Sequence, residues 1–327
     1  MKTVKFIMLV AMAATSYPVF AQQNGRLEAV RLSIDNDFFN FRLSGTDRYF
    51  TNGIRLDYYY TPQKKHFTDR LFIKFSEDRN KNSKGFGLAQ FMFTPGIITE
   101  SEVQQGDRPY AGALYGIYSM QTIDESEKLK LTTEIFGGVM GPMSLADKTQ
   151  VWFHKILNST TPEGWENQIP NDIILNYNMN IEAVVVQPTQ NLSVNAIAET
   201  YSGTLYNGAG VGFVLKLGKF QDNFDLMPVR EVKNPDKFRL FVYMRPVGRV
   251  MLSNSLLQGG LISRVKGNKE SYFIEKDDLF RLNVYYDVGA VFGFKHFSFS
   301  ISQKLRTPEF ENQSSQEIGN VMMQVKF

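Results

Sequence analysis

The chain has no cysteine in 327 residues. That excludes disulfides, thiolate metal sites and a cysteine-linked lipid anchor. It has three histidines, His66, His154 and His296, so imidazole chemistry has few possible seats. No Gly-x-Ser-x-Gly elbow is present to offer a serine nucleophile. No apolar run after residue 21 approaches the roughly 20 residues that a membrane-spanning helix needs. The formal charge of +3 includes Lys2 and Lys5, and no basic patch follows them, so nucleic acid is not an expected partner.

The first residues read as an export signal. Lys2 and Lys5 give a positive start, residues 6–14 an apolar core too short to span a bilayer, and Val19-Phe20-Ala21 a small-x-small cleavage site. Residues 1–21 are thus expected to be a signal peptide and residues 22–327 one domain.

That domain alternates with period two almost throughout. Leu175, Tyr177, Met179, Ile181 and Ala183 share one face of a strand, and Asn176, Asn178, Asn180 and Glu182 the other. Such a strand separates two unlike media: core and water in a sandwich, lipid and lumen in a barrel. The runs last about ten residues, which favours tilted membrane strands. An aromatic content of 13%, with 27 Phe and 15 Tyr, suits aromatic girdles.

About twelve runs are counted. They lie near 27–39, 48–61, 84–95, 108–123, 127–140, 173–187, 190–203, 206–219, 237–252, 277–293, 295–308 and 316–327. An even count returns both ends of the chain to the periplasmic side, and Phe327 ends the last run on the lipid-facing parity. The expected fold is all-β: a transmembrane antiparallel β-barrel in the bacterial outer membrane, with one helix in an extracellular loop. Loops near 94–107, 141–172 and 253–276 are long and assigned outside. Segments 62–83 and 220–236 are also long, yet fall on the periplasmic side.

Residues 142–168 carry the one convincing helical pattern. Ser144-x-x-Asp147 reads as a capping box with Asp in place of Glu. At 100° per residue, Asp147, Gln150, His154 and Asn158 form one stripe, and Leu145, Trp152 and Ile156 the opposite one. Strand counting brings Asn36, Asp37, Thr51, Gln150 and His154 to the same outer rim. A neutral imidazole can deprotonate water, carboxylate and amide oxygens suit Ca2+, and such a cation can stabilise an ester oxyanion. The parts describe metal-assisted ester hydrolysis. Bland readings stand beside this one: a solvated surface histidine, ordinary turn chemistry at Asn36-Asp37, and a Thr51 that lines the lumen with Arg55 and Asp57. By parity, Asn36 faces lipid and Asp37 the lumen. A non-catalytic pore or surface binder fits the polar lumen, and a serine-dependent barrel phospholipase would need a serine partner for His154.

The chain carries Asn36-Asp37, then Asp47-Arg48-Tyr49-Phe50-Thr51-Asn52-Gly53, then Gly106-Asp107-Arg108-Pro109-Tyr110-Ala111-Gly112, then Gln150-x-x-x-His154 with Gly164-Trp165-x-x-Gln168. In that order, these segments resemble the LpxR-type outer-membrane lipid A 3′-O-deacylases. The resemblance implies a twelve-stranded barrel, taken here as a monomer, that removes the 3′-linked acyloxyacyl group of lipid A in lipopolysaccharide by a mechanism likened to phospholipase A2. It implies His154 as general base for a water and Asp37 near or on a Ca2+ that holds the oxyanion. Asn36, Thr51 and Gln150 would orient water, metal or substrate, and Asp107 and Arg108 would pin the rim. The chain differs from the family in two places. Residues 94–105 hold no Lys where the family has a functional one, and Thr160 stands where the family has a Glu.

Overall fold

The computed structural model describes residues 25–37, 49–75, 81–224, 226–227, 229, 237–265 and 272–327. The signal-peptide segment 1–21, and the Asp47-Arg48 part of the rim motif, lie outside the described residues.

Twelve antiparallel strands close into one barrel, each pairing with its sequence neighbours and β1 with β12. They are β1 (Gly25–Asn36), β2 (Asn52–Pro62), β3 (Asn82–Phe93), β4 (Ala111–Asp124), β5 (Leu129–Met140), β6 (Asp172–Thr189), β7 (Leu192–Gly203), β8 (Tyr206–Lys219), β9 (Arg239–Asn254), β10 (Leu282–Phe294), β11 (Phe297–Arg306) and β12 (Gln316–Lys326). The expected runs and the observed strands agree within a few residues at most ends. Closure leaves no strand edge unpaired, which backbone in lipid requires.

The in–out alternation sets the rest. On β6, Ile173 and Leu175 are exposed outward while Asn176, Asn178 and Glu182 are buried inward. The interior is packed and charge-paired. Arg55 bridges Asp57 at 2.8 Å and Glu134 at 2.7 Å, Glu199 takes both Arg245 and Arg249, and Lys304 meets Asp35 at 2.5 Å. Asn195 donates to Glu182 at 2.6 Å, and Asn176 donates to the carbonyl of Tyr206 at the start of β8 at 2.9 Å. A cavity of about 500 Å³ remains among these side chains.

The two long periplasmic segments have physical reasons. Residues after β8 fold back into the barrel mouth: Met227 packs on Phe241 and Tyr243, and Val229 on Ala29 and Tyr59. Arg31 donates to the Met227 carbonyl at 2.5 Å and Asn195 to that of Asn223 at 2.5 Å. The segment after β2 instead runs over the outside of the wall. At the other end, Phe50, Phe93, Ile169, Leu205, Leu256 and Ile318 form an apolar cluster that fills the outer mouth.

The helical region is shorter and more broken than its pattern suggests. A 3-10 turn at Gly141–Ser144 precedes α1 (Ala146–Leu157), and a second 3-10 turn follows at Trp165–Asn167. Two short helices, α2 (Ser255–Gln258) and α3 (Leu261–Val265), lie in the loop after β9. The capping box does not form. Leu145 is the N-cap in a left-handed conformation with no side-chain cap bond, and the Ser144 hydroxyl turns back to the Gly141 carbonyl at 2.6 Å.

Candidate functional site

The helix lies on the outside of the wall. Met92 and Gly112 have outward parity on β3 and β4, and Met92 packs with Ala146, Tyr110 and Trp165. Gly112 makes this approach possible. A Cβ there would sit 2.2 Å from the Ser144 hydroxyl and 2.4 Å from the Ala146 methyl. Gln90, also outward, donates to the Ser144 carbonyl at 2.7 Å and pins the turn.

The stripe read from sequence is the face that packs inward, with its polarity reversed from the usual rule. Gln150 is 1% exposed and His154 5%, whereas Trp152 is 50% exposed. Leu145 and Met143 are exposed beside it. An outer side that meets lipid removes the penalty for exposed apolar groups, so the polar face can be spent on the wall. Asn158 does not extend the stripe. It is exposed and caps the helix in the left-handed conformation that Asn tolerates, its N–H returning to the His154 carbonyl.

That cap turns the chain under the last helical turn. The Thr160 carbonyl then meets His154 Nδ1 at 2.5 Å. A carbonyl only accepts, so Nδ1 carries the proton of the neutral ring and Nε2 keeps its lone pair. Gln150 is oriented by the same logic. Trp165 Nε1–H only donates, and it reaches Gln150 Oε1 at 2.7 Å. The Gln150 Nε2 donors are therefore directed elsewhere, buried and with no hydrogen-bond partner among the described residues. The loop carrying Trp165 is fixed by Glu163 N–H on the Ile98 carbonyl at 2.7 Å and Tyr110 hydroxyl on the Glu163 carbonyl at 2.5 Å. Gly164 is needed here: its φ is +97°, and a Cβ would meet the Glu100 carbonyl at 2.8 Å.

The second group lies two strands away. Asn36 ends β1 opposite Asn52 on the outward face, and its Nδ2 donates to the Thr51 carbonyl at 3.0 Å. Asp37 follows and is 2% exposed. Thr51 does not line the lumen as its simple parity implies. The Asn52–Met92 register would put Phe50 opposite Thr94, yet Tyr49 and Thr94 exchange both backbone bonds. One extra residue is inserted, a β-bulge that sends Phe50 inward against Phe91 and Phe93. The Thr51 hydroxyl is left on that of Thr94 at 2.9 Å.

Asn36, Asn52, Met92 and Gly112 thus occupy one level on four adjacent strands. With strands about 4.8 Å apart, the β1 and β4 ends of this row are about 14 Å apart. Gln150 and His154 thus sit on the helix docked against the outward face of β3 and β4, and Asn36, on the outward face of β1, precedes Asp37 and holds the Thr51 carbonyl. Sequence reasoning missed Asn52, whose Oδ1 is buried without a hydrogen-bond partner among the described residues. It also gave no role to Trp165, although a tryptophan in a polar loop, in a chain with two, is a usable signal.

The Asp107-Arg108 pair pins the rim as expected. Asp107 accepts from Gly96 N–H at 2.7 Å, and buried Arg108 bonds Glu309 at 2.7 Å while stacking on Phe93. Burial pushes the Glu309 carboxyl up, but Arg108, with Arg306 and Tyr285, outweighs it and holds the group below the usual carboxylate range.

Comparison with solved structures gives LpxR from Salmonella typhimurium, 21% identical, with a TM-score of 0.71, covering 91% of this chain and 100% of that one. The NanC porin follows at 6% identity and a TM-score of 0.37, covering 92% of this chain and 98% of that one. A bacterial polysaccharide outer-membrane secretin is 8% identical with a TM-score of 0.36, covering 93% and 99%. These last two likenesses are too weak to carry an argument. No curated protein matches the sequence. The family model described as outer membrane protein LpxR matches residues 6–327, nearly the whole chain. This outer-membrane β-barrel therefore belongs to the LpxR family.

Proposed function

We propose that the protein is a lipid A deacylase, a carboxylic ester hydrolase that removes the 3′-linked acyl group of lipid A in the outer leaflet. The observation that carries this reading is the buried His154 imidazole, oriented by Thr160 on the lipid-facing side of the wall. A site on that side meets a membrane-embedded substrate directly, with its acyl chains already alongside the barrel.

In this reading His154 Nε2 takes a proton from water as the oxygen attacks the ester carbonyl, then returns it to the departing sugar oxygen. The Gln150 Nε2 donors meet the carbonyl oxygen as it gains charge. Asn36 and Thr51 hold the end of β1 against β2 and so orient Asp37. The donor set suits Ca2+: the Asp37 carboxylate and the buried, unsatisfied Asn52 amide oxygen are hard ligands. Bound there, Ca2+ would supply positive charge for the ester oxyanion.

The pore reading gains nothing from the packed lumen, where Asn176, Asn178, Asn180 and Glu182 are engaged with neighbours. The test is mass spectrometry of lipid A from cells expressing the wild type or His154→Ala. Loss of 3′-deacylation in a variant that keeps the heat-modifiable mobility of a folded barrel is expected. A folded variant with full activity overturns the mechanism.

A further inference from the structure

The segment after β2 crosses the outer surface of the wall at the end where β1 begins and β12 finishes. Asp69 bonds Lys84 of β3, and the Thr68 hydroxyl meets that of Tyr118 on β4 at 2.9 Å. Phe72 packs edge-on against the Tyr118 ring at 4.8 Å. The Thr133 hydroxyl of β5 donates to the Ile73 carbonyl at 3.2 Å, and Ile73 N–H donates to the Tyr177 hydroxyl of β6 at 3.2 Å. Lys84, Tyr118, Thr133 and Tyr177 all have outward parity, the side that faces lipid elsewhere on these strands. The wall therefore spends polar side chains on satisfying the backbone of this segment. A water-facing loop needs no such service, and a segment in lipid does.

Its free side has the complementary character. Phe67 is 77% exposed, Leu71 53%, Ile73 55% and Phe75 42%. They continue the lipid-facing band of Phe86 and Leu88 on β3. Lys64, Lys65 and Arg70 are exposed among them. The one acid of residues 63–75, Asp69, is neutralised by Lys84.

We propose that residues 64–75 are an interfacial strap that binds anionic phospholipid in the periplasmic leaflet. Phe67, Leu71, Ile73 and Phe75 sit among acyl chains, while Lys64, Lys65 and Arg70 contact headgroup phosphates. Amphipathic interfacial segments bind in this way, with basic groups at the headgroups and aromatics below them. The strap and the outer rim lie at opposite ends of the barrel, so this inference stands apart from the proposed reaction.

The test uses the full chain refolded into phosphatidylglycerol vesicles, with Phe67→Trp placed in a Trp152→Phe background. Chain-brominated lipid is expected to quench the added emission by more than half, and an unquenched tryptophan in a folded barrel overturns the insertion. Native mass spectrometry then counts retained phosphatidylglycerol. Lys64→Gln, Lys65→Gln and Arg70→Gln should each lower retention relative to phosphatidylcholine, by about fivefold per charge. Equal retention by the folded wild type and the triple variant overturns headgroup binding. Should the triple variant not fold, Arg70→Gln alone is compared.

Discussion

Trp165 donates its indole N–H to the side-chain oxygen of Gln150 at 2.7 Å. This one bond decides which end of the Gln150 amide is free for a substrate. Gln150→Glu would put an acceptor where donors stand. The expected outcome is a fall in kcat of about 100-fold with little change in barrel folding. Trp165→Phe should lower kcat less, since the amide keeps its donors and loses its orientation. Single-turnover deacylation of purified lipid A checks both, and equal effects from the two variants would count against the donor role.

Thr160 acts through its backbone, and its side chain is exposed. Thr160→Ala is therefore expected to retain activity within about twofold, as exposed substitutions usually do. The same assay decides, and a large loss would mean that the hydroxyl takes part.

Gly112→Val would drive a side chain into Ser144 and Ala146. The overpacking costs about 1–3 kcal/mol and falls on the helix–wall contact. Limited proteolysis should cut the helical loop while gel mobility still reports a closed barrel, and deacylation should drop with the loss of the docked helix.

Asp37→Asn and Asn52→Leu remove oxygen donors from the β1–β2 rim. Chelation with EGTA should abolish activity, and each variant should need about tenfold more Ca2+ for half-maximal rate. Titration of the rate with Ca2+ after chelation measures this.

The Arg108–Glu309 pair should contribute to stability in a pH-dependent way. The folded Glu309 value lies below its unfolded one, so its contribution is full above the ordinary carboxylate value of about 4.3 and fades as pH falls through the lower folded value. Arg108→Ala leaves a buried carboxylate unpaired and should cost about 3–5 kcal/mol at neutral pH. Urea unfolding midpoints of wild type and Glu309→Gln should differ at pH 7 and converge only as pH falls through the lowered folded value.

Most of the wall was legible because each strand divides lipid from lumen, and that division is written residue by residue, as on β6 from Ile173 to Glu182. The face of α1 that carries Gln150 and His154 was legible from period alone. Its direction was not, because burial of a polar face makes sense only beside lipid, which a helical wheel does not display. For Thr51, simple parity offered the lumen as the bland alternative to the rim, since the bulge that separates the two leaves no local mark in the sequence. Arg31 holding Met227, Ala29 and Tyr59 packing on Val229, and outward side chains such as Tyr118 holding the strap around Phe72 are distant in sequence, and no local pattern encodes such pairings. Asn52 was within a recognised motif, but its orphaned oxygen is a property of packing.

The segment around Met227 has a consequence for the cell. A barrel stoppered from within adds protein to the surface without adding holes to it. An added copy is then expected to leave the passage of small solutes across the membrane unchanged.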